Sequence, residues 1–131
     1  MEVRHHMKFF NFNKESGKNI SKFNSDFIMS RIIQTNKAAS IGCMHLGENG
    51  LIGYHQAVCP QLLLILSGEG LVSINQEEYF NVQPGDAVFW EKDEWHETKT
   101  TRGLTAIVIE SEELNPSSFM QTIIPNSKGE R

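Results

Sequence analysis

Short runs of aliphatic, aromatic and β-branched residues recur along this chain, separated by Gly, Pro, Asn and Asp. The punctuation returns every 8–12 residues or so, roughly the rhythm of an all-β sandwich or barrel. Strands are predicted at 8–12, 26–34, 39–46, 53–55, 61–66, 71–75, 78–82, 87–90, 96–100 and 104–110. The run 62–66 is apolar at every position, so periodicity does not separate a strand from a buried helical segment. Its shortness and the Ser67-Gly68-Glu69-Gly70 turn after it favour a strand in the middle of a sandwich. In 26–33, Phe27, Met29, Arg31 and Ile33 share one face, and Ile28, Ser30 and Ile32 the other. Neither face is cleanly polar, which predicts a largely buried strand. Met29, Met44 and Phe89 read as core.

The connections have their own chemistry. Asn75-Gln76-Glu77-Glu78 reads as a hairpin connection. Gln83-Pro84-Gly85-Asp86 is stronger, with Pro presetting φ ahead of a Gly that tolerates positive φ, and is expected to join adjacent strands. Asn115 before Pro116 reads as an N-cap and first helical residue, predicting a short helical turn over 116–121. No segment shows sustained helical periodicity, an internal repeat or a long linker. The expected organisation is one β domain over 7–124, an N-terminal extension or expression remnant at 1–6, and a flexible tail at 125–131.

At 131 residues, 39% hydrophobic and 21% charged, the chain suits one ordinary globular domain. A formal net charge of −4 with no Lys/Arg stripe argues against a nucleic-acid partner. The aliphatic run 62–66 is far below the roughly 20 residues of a membrane-spanning helix. The first 13 residues lack a secretory apolar stretch, so a cytoplasmic protein is expected. Cys43 and Cys59, without CxxC spacing, read as reduced thiols.

Between Asn49 and Thr100 the chain resembles the cupin superfamily, whose motifs are G-x5-H-x-H-x3,4-E-x6-G and G-x5-P-x-G-x2-H-x3-N. With Gly68 as anchor, Gln61 stands at the Glu position, His55 at the first His, Ala57 at the second, and Asn49 at the first Gly with Gly50 beside it. With Gly85 as anchor, Glu91 stands at the Pro, Asp93 at the second Gly, His96 at the His and Thr100 at the Asn. The resemblance implies an all-β cupin jelly roll, or double-stranded β-helix barrel. It also implies that His55, Gln61 and His96 converge on one divalent metal, Mn, Fe, Ni or Zn, and that two copies pair as a homodimer.

The donor set departs from the family pattern at two positions. Gln61 offers a neutral amide oxygen, so two imidazoles and an amide would leave a dication's charge uncompensated. The missing anion is Glu94, two residues before His96 and on its face if the strand extends that far, the Cys59 thiol, or an exogenous ligand. Trp90 or Trp95 can wall the pocket; the competing reading makes both rings core and leaves Glu91 and Asp93 to solvate a turn. His45, which shares a face with Ile41 and Cys43, reads as a satisfied or exposed histidine rather than a ligand. Two functions follow: a metal-dependent oxygenase, isomerase or hydrolase acting on a small polar metabolite, or a metal-free protein that binds or senses a small ligand. The pocket residues are His55, Gln61, His96, Glu94 and Trp90 in either case.

Overall fold

The computed structural model describes residues 7–127. Its strands are β1 (Lys8–Asn11), β2 (Lys18–Ile20), β3 (Phe27–Met29), β4 (Ala39–Leu46), β5 (Leu51–Gln56), β6 (Gln61–Gly68) and β7 (Gly70–Ser73). They continue as β8 (Phe80–Val82), β9 (Asp86–Trp90), β10 (Trp95–Lys99), β11 (Leu104–Ser111), β12 (Gln121–Thr122) and β13 (Asn126–Ser127). A six-stranded antiparallel sheet has the order β12-β1-β9-β6-β11-β4, and a five-stranded one β13-β8-β7-β10-β5. The architecture is an all-β jelly roll. No helix among the described residues is long and apolar enough to cross a membrane.

The unbroken apolar run in β6 follows from its place in the larger sheet. Alternate side chains of a strand point to opposite faces. Leu63 and Ile65 enter an inner cluster with Phe9, Val88, Trp90, Ala106 and Val108. Leu62 and Leu64 join an outer cluster with Phe10, Ala87, Phe89 and Ile109. Phe12, Ile32, Ile33, Leu114 and Met120, from the segments flanking the sheet, cover that second face. A strand buried on both sides needs no polar alternation.

The segment 26–34 differs from expectation. Only Phe27–Met29 is strand; it pairs with β2 outside both main sheets, and Phe27, Ile28 and Met29 are 43%, 48% and 46% exposed. Its β-propensity is met by one local partner, and the pair leaves these side chains about half exposed. Met29 is therefore not core, whereas Phe89 is buried and Met44 packs against the inner cluster. Ile32 and Ile33, past the strand's end, do the covering instead.

At the other end, the predicted helical turn shrinks to a 3₁₀ turn, Pro116–Ser118. Asn115 makes no side-chain cap; its Oδ1 accepts the Gln34 N–H at 3.3 Å, tying down the segment that covers the sheet. Gln121–Thr122 then pairs with β1. The expected tail from 125 begins with Asn126–Ser127 paired to β8; 128–131, like the N-terminal extension 1–6, lies outside the described residues.

The turns obey local chemistry. Ser73 Oγ accepts the N–H groups of Asn75 and Gln76, and Asn75 Oδ1 those of Glu77 and Glu78, closing the β7–β8 hairpin. Gly85 takes φ +95 and Asp86 N–H donates to Gln83 O at 3.0 Å, but this turn carries the chain from one sheet to the other. Asn49 and Asp93, at motif positions where the cupin pattern has Gly, take φ 56° and 74°. Asn and Asp enter this left-handed region more readily than other side chains.

Candidate functional site

The site is assembled from one row of each sheet. In the six-stranded sheet Trp90, Gln61 and Glu110 lie side by side across β9, β6 and β11, and in the five-stranded sheet His96 pairs with His55 across β10 and β5. Between these rows is a pocket of about 170 Å³, to which all five residues contribute. Met44, Ile52 and Leu63 supply its apolar lining, and Thr98 a hydroxyl.

A β-bulge aims His55. From His96↔His55 to Thr98↔Ile52, β10 advances two residues while β5 advances three. The extra residue falls at Gly53–Tyr54, and it lets Ile52 and His55 line one cavity although regular alternation would oppose them. The His55 Nδ1 lies 2.7 Å from Gly53 O. That carbonyl can only accept, so Nδ1 carries the proton and Nε2 is left as an acceptor. His55 is exposed at the mouth, while His96 is 2% exposed.

His96 is packed tightly and left without polar partners. Its ring stacks on Trp90 with centroids 4.1 Å apart and lies 4.5 Å from that of His55. Among the described residues no group hydrogen-bonds either of its ring nitrogens, nor the Trp90 Nε1–H. Burial first, and the neighbouring His55 second, push the His96 pKa down to about 4, so the imidazole is neutral at pH 7. A buried unsatisfied polar group costs about 1–3 kcal/mol, and such groups concentrate at functional sites.

Gln61 is 7% exposed, and its Nε2 donates to Glu110 Oε2 at 2.7 Å. One amide N–H is thereby used, and the second N–H and the amide oxygen are what Gln61 can offer a ligand. Glu110 was not anticipated. Its signal was parity: Ala106 and Val108 share its face of β11, so a charge at the end of an apolar inward row stood out.

Glu94 is not brought to this pocket. Strand β10 begins at Trp95, so the parity that would place Glu94 beside His96 does not apply; Glu94 Oε1 accepts the Glu91 N–H at 2.8 Å within the turn. Cys59 is half-buried and does not line the pocket; burial, then Glu110 and Glu112, push its thiol pKa up. His45 is exposed, as expected from its face, and Trp95 stacks on Tyr54 at 5.3 Å on the outside. Ala57, at the second His position, is buried and adds no donor.

For a metal ion the donor set falls short. Two imidazoles converge, one amide is held by a carboxylate, and among the described residues no three His, Cys, Asp or Glu side chains are grouped to hold a cation. A protein-held divalent ion ordinarily takes three or four such ligands. A larger groove of about 320 Å³ beside Phe9, Phe80 and Ile123 is mainly apolar, and its polar side chains Lys8, Asn75, Glu78 and Thr122 are exposed.

No protein-family model matches the chain, and no curated protein matches it. Solved structures do. A cupin 2 domain-containing protein from Halorhodospira halophila is 12% identical, with TM-score 0.58, covering 85% of this chain and 79% of its own. A cupin superfamily protein from Desulfitobacterium hafniense is 12% identical, with TM-score 0.54, covering 86% of this chain and 84% of its own. A cupin-2 domain-containing protein from Shewanella frigidimarina is 12% identical, with TM-score 0.51, covering 62% and 78%. The fold is that of the cupins.

Proposed function

We propose that this cupin-fold chain binds a small polar metabolite between its sheets through direct hydrogen bonds from His96, His55, Gln61 and Trp90. Fold alone does not dictate chemistry, so the reading rests on the site. The observation that carries it is His96: nearly inaccessible, neutral at pH 7, with both ring nitrogens unpartnered among the described residues in a pocket of about 170 Å³. A ligand that bonds those nitrogens recovers a desolvation cost the folded protein already carries. The volume is close to that of an engineered 150 Å³ cavity that accepts benzene, so the ligand has on the order of six to ten heavy atoms.

A second reading is a metal-dependent enzyme in which substrate completes the coordination of His55 and His96, with Gln61 as the amide ligand. The two facing imidazoles favour it; against it, Glu110 in the same pocket accepts the Gln61 amide, and among the described residues no three His, Cys, Asp or Glu side chains are grouped to hold an ion. A homodimer belongs to either reading, since pairing covers an exposed sheet edge such as β4, where Ile41 is 66% exposed.

Elemental analysis of protein purified without chelator or nickel resin decides between them. The primary reading expects far less than one metal per chain even after challenge with manganese, iron, nickel and zinc. It also expects small polar fragments to shift the Trp90 indole N–H resonance in wild type and not in His96→Phe. Stoichiometric metal, lost in His55→Ala and His96→Ala, replaces it with the second reading.

A further inference from the structure

The pocket holds one formal charge, and its position restricts what can bind. Glu110 Oε2 accepts the Gln61 amide at 2.7 Å, and no Lys or Arg is among the described residues lining the cavity. Glu110 is only partly exposed, at the end of an inward row whose other members, Ala106 and Val108, are apolar. Both imidazoles face the same space; His96 is neutral at pH 7, and His55 uses its Nδ1–H on Gly53 O. An anion entering this pocket would meet the Glu110 carboxylate and no Lys or Arg among the described residues lining it.

The hydrogen-bonding inventory restricts the ligand further. Trp90 Nε1–H is a donor only, and neutral His96 carries one donor and one acceptor, all without partners among the described residues. Gln61 Oε1 and Glu110 are acceptors, and the second Gln61 N–H is a further donor. A ligand satisfying this set must both accept and donate, and do so without a negative charge.

We infer that Glu110 makes the pocket selective for compact uncharged ligands that carry both a donor and an acceptor, of which the primary amide is the simplest, and makes it exclude their carboxylate isosteres. The inference rests on the metabolite-binding reading above and names its ligand class. Gln61 has the positioning part: its N–H bond holds the Glu110 carboxylate while its oxygen faces the ligand's N–H. A metal centre would invert the preference, because a carboxylate binds a cation better than an amide does.

Two isosteric pairs, propionamide with propionate and benzamide with benzoate, test this at pH 7 by titration of the Trp90 indole N–H and the histidine ring resonances. Wild type is expected to bind each amide at least about tenfold more tightly than its acid, the scale a nearby like charge imposes in a partly buried site. In Glu110→Gln that ratio collapses towards one, while Glu110→Asp, which keeps the charge, retains it; circular dichroism verifies the fold of both. The wild-type ratio requires no variant and decides by itself. Acids that bind as tightly as amides overturn the charge selection and leave the pocket reading standing. If neither pair moves the Trp90 and His96 resonances, the pocket reading falls and this inference with it.

Discussion

Acid should destabilise this protein through His96 in a way that a single substitution can isolate. In the unfolded chain the imidazole titrates near 6.5, and in the folded protein near 4. Between those values the unfolded state binds a proton that the folded state refuses, so ΔG of unfolding rises with pH across the window. The His96 contribution is complete above pH 6.5 and is lost progressively as pH falls towards 4. Two and a half units at about 1.36 kcal/mol each make the total about 3 kcal/mol. The charged and titratable groups facing His96 are His55 from β5 and Glu110 from β11; the Trp90, Gln61 and Thr98 side chains beside them carry no charge. The neighbouring His55 is the second cause, after burial, of the downward shift. His96→Phe keeps a ring against Trp90 and removes the titration. Urea unfolding of both proteins at several values from about pH 7 to pH 4 should show wild type losing about 3 kcal/mol more than the variant. The His96 ring resonance should remain that of a neutral imidazole down to about pH 4. Parallel stability curves for the two proteins would refute the reasoning, since they would mean that burial does not penalise the charged ring.

Three further outcomes probe the fold around the site. Leu62, fully buried on the outer face of the larger sheet, should cost about 2–5 kcal/mol as Leu62→Ala in urea unfolding, whereas an exposed outer face would make the change nearly neutral. Tyr79 Oη donates to the buried Glu97 carboxylate at 2.5 Å, so Tyr79→Phe should lower stability by about 1–2 kcal/mol, and its ultraviolet titration in wild type should lie near pH 12. Gly68 takes φ +87, and a Cβ there would sit 2.1 Å from Gly103 O, so Gly68→Ala should cost about 2 kcal/mol or more and lower the thermal midpoint.

What could be read along the chain is what local chemistry controls. The segment 39–46 forms the strand expected from its pattern, the glycines at 68 and 85 take the positive φ their turns require, and Asn49 and Asp93 take it where side chains had replaced glycine. The motif spacing brought His55 opposite His96, because two hairpins with set turn lengths leave few registers open. Where local preference was ambiguous, as in Phe27–Met29, it was satisfied by a neighbour close in sequence, and the burial predicted from its two largely apolar faces did not occur.

Only the tertiary structure decided the rest. Glu110 meets Gln61 because β11 lies beside β6 in a particular register, across 49 residues of chain. The bulge in β5 reverses the face on which His55 falls relative to Ile52, a change that alternation cannot reveal. The start of β10 at Trp95 removes Glu94 from the pocket by one residue's displacement. Turn and strand preferences are properties of a few adjacent residues, so the sequence determined the β architecture and pointed to His55, Gln61, His96 and Trp90, which line one pocket. The charge within the pocket, and the unpartnered state of His96, arise from distant segments excluding water together, and no local pattern encodes that.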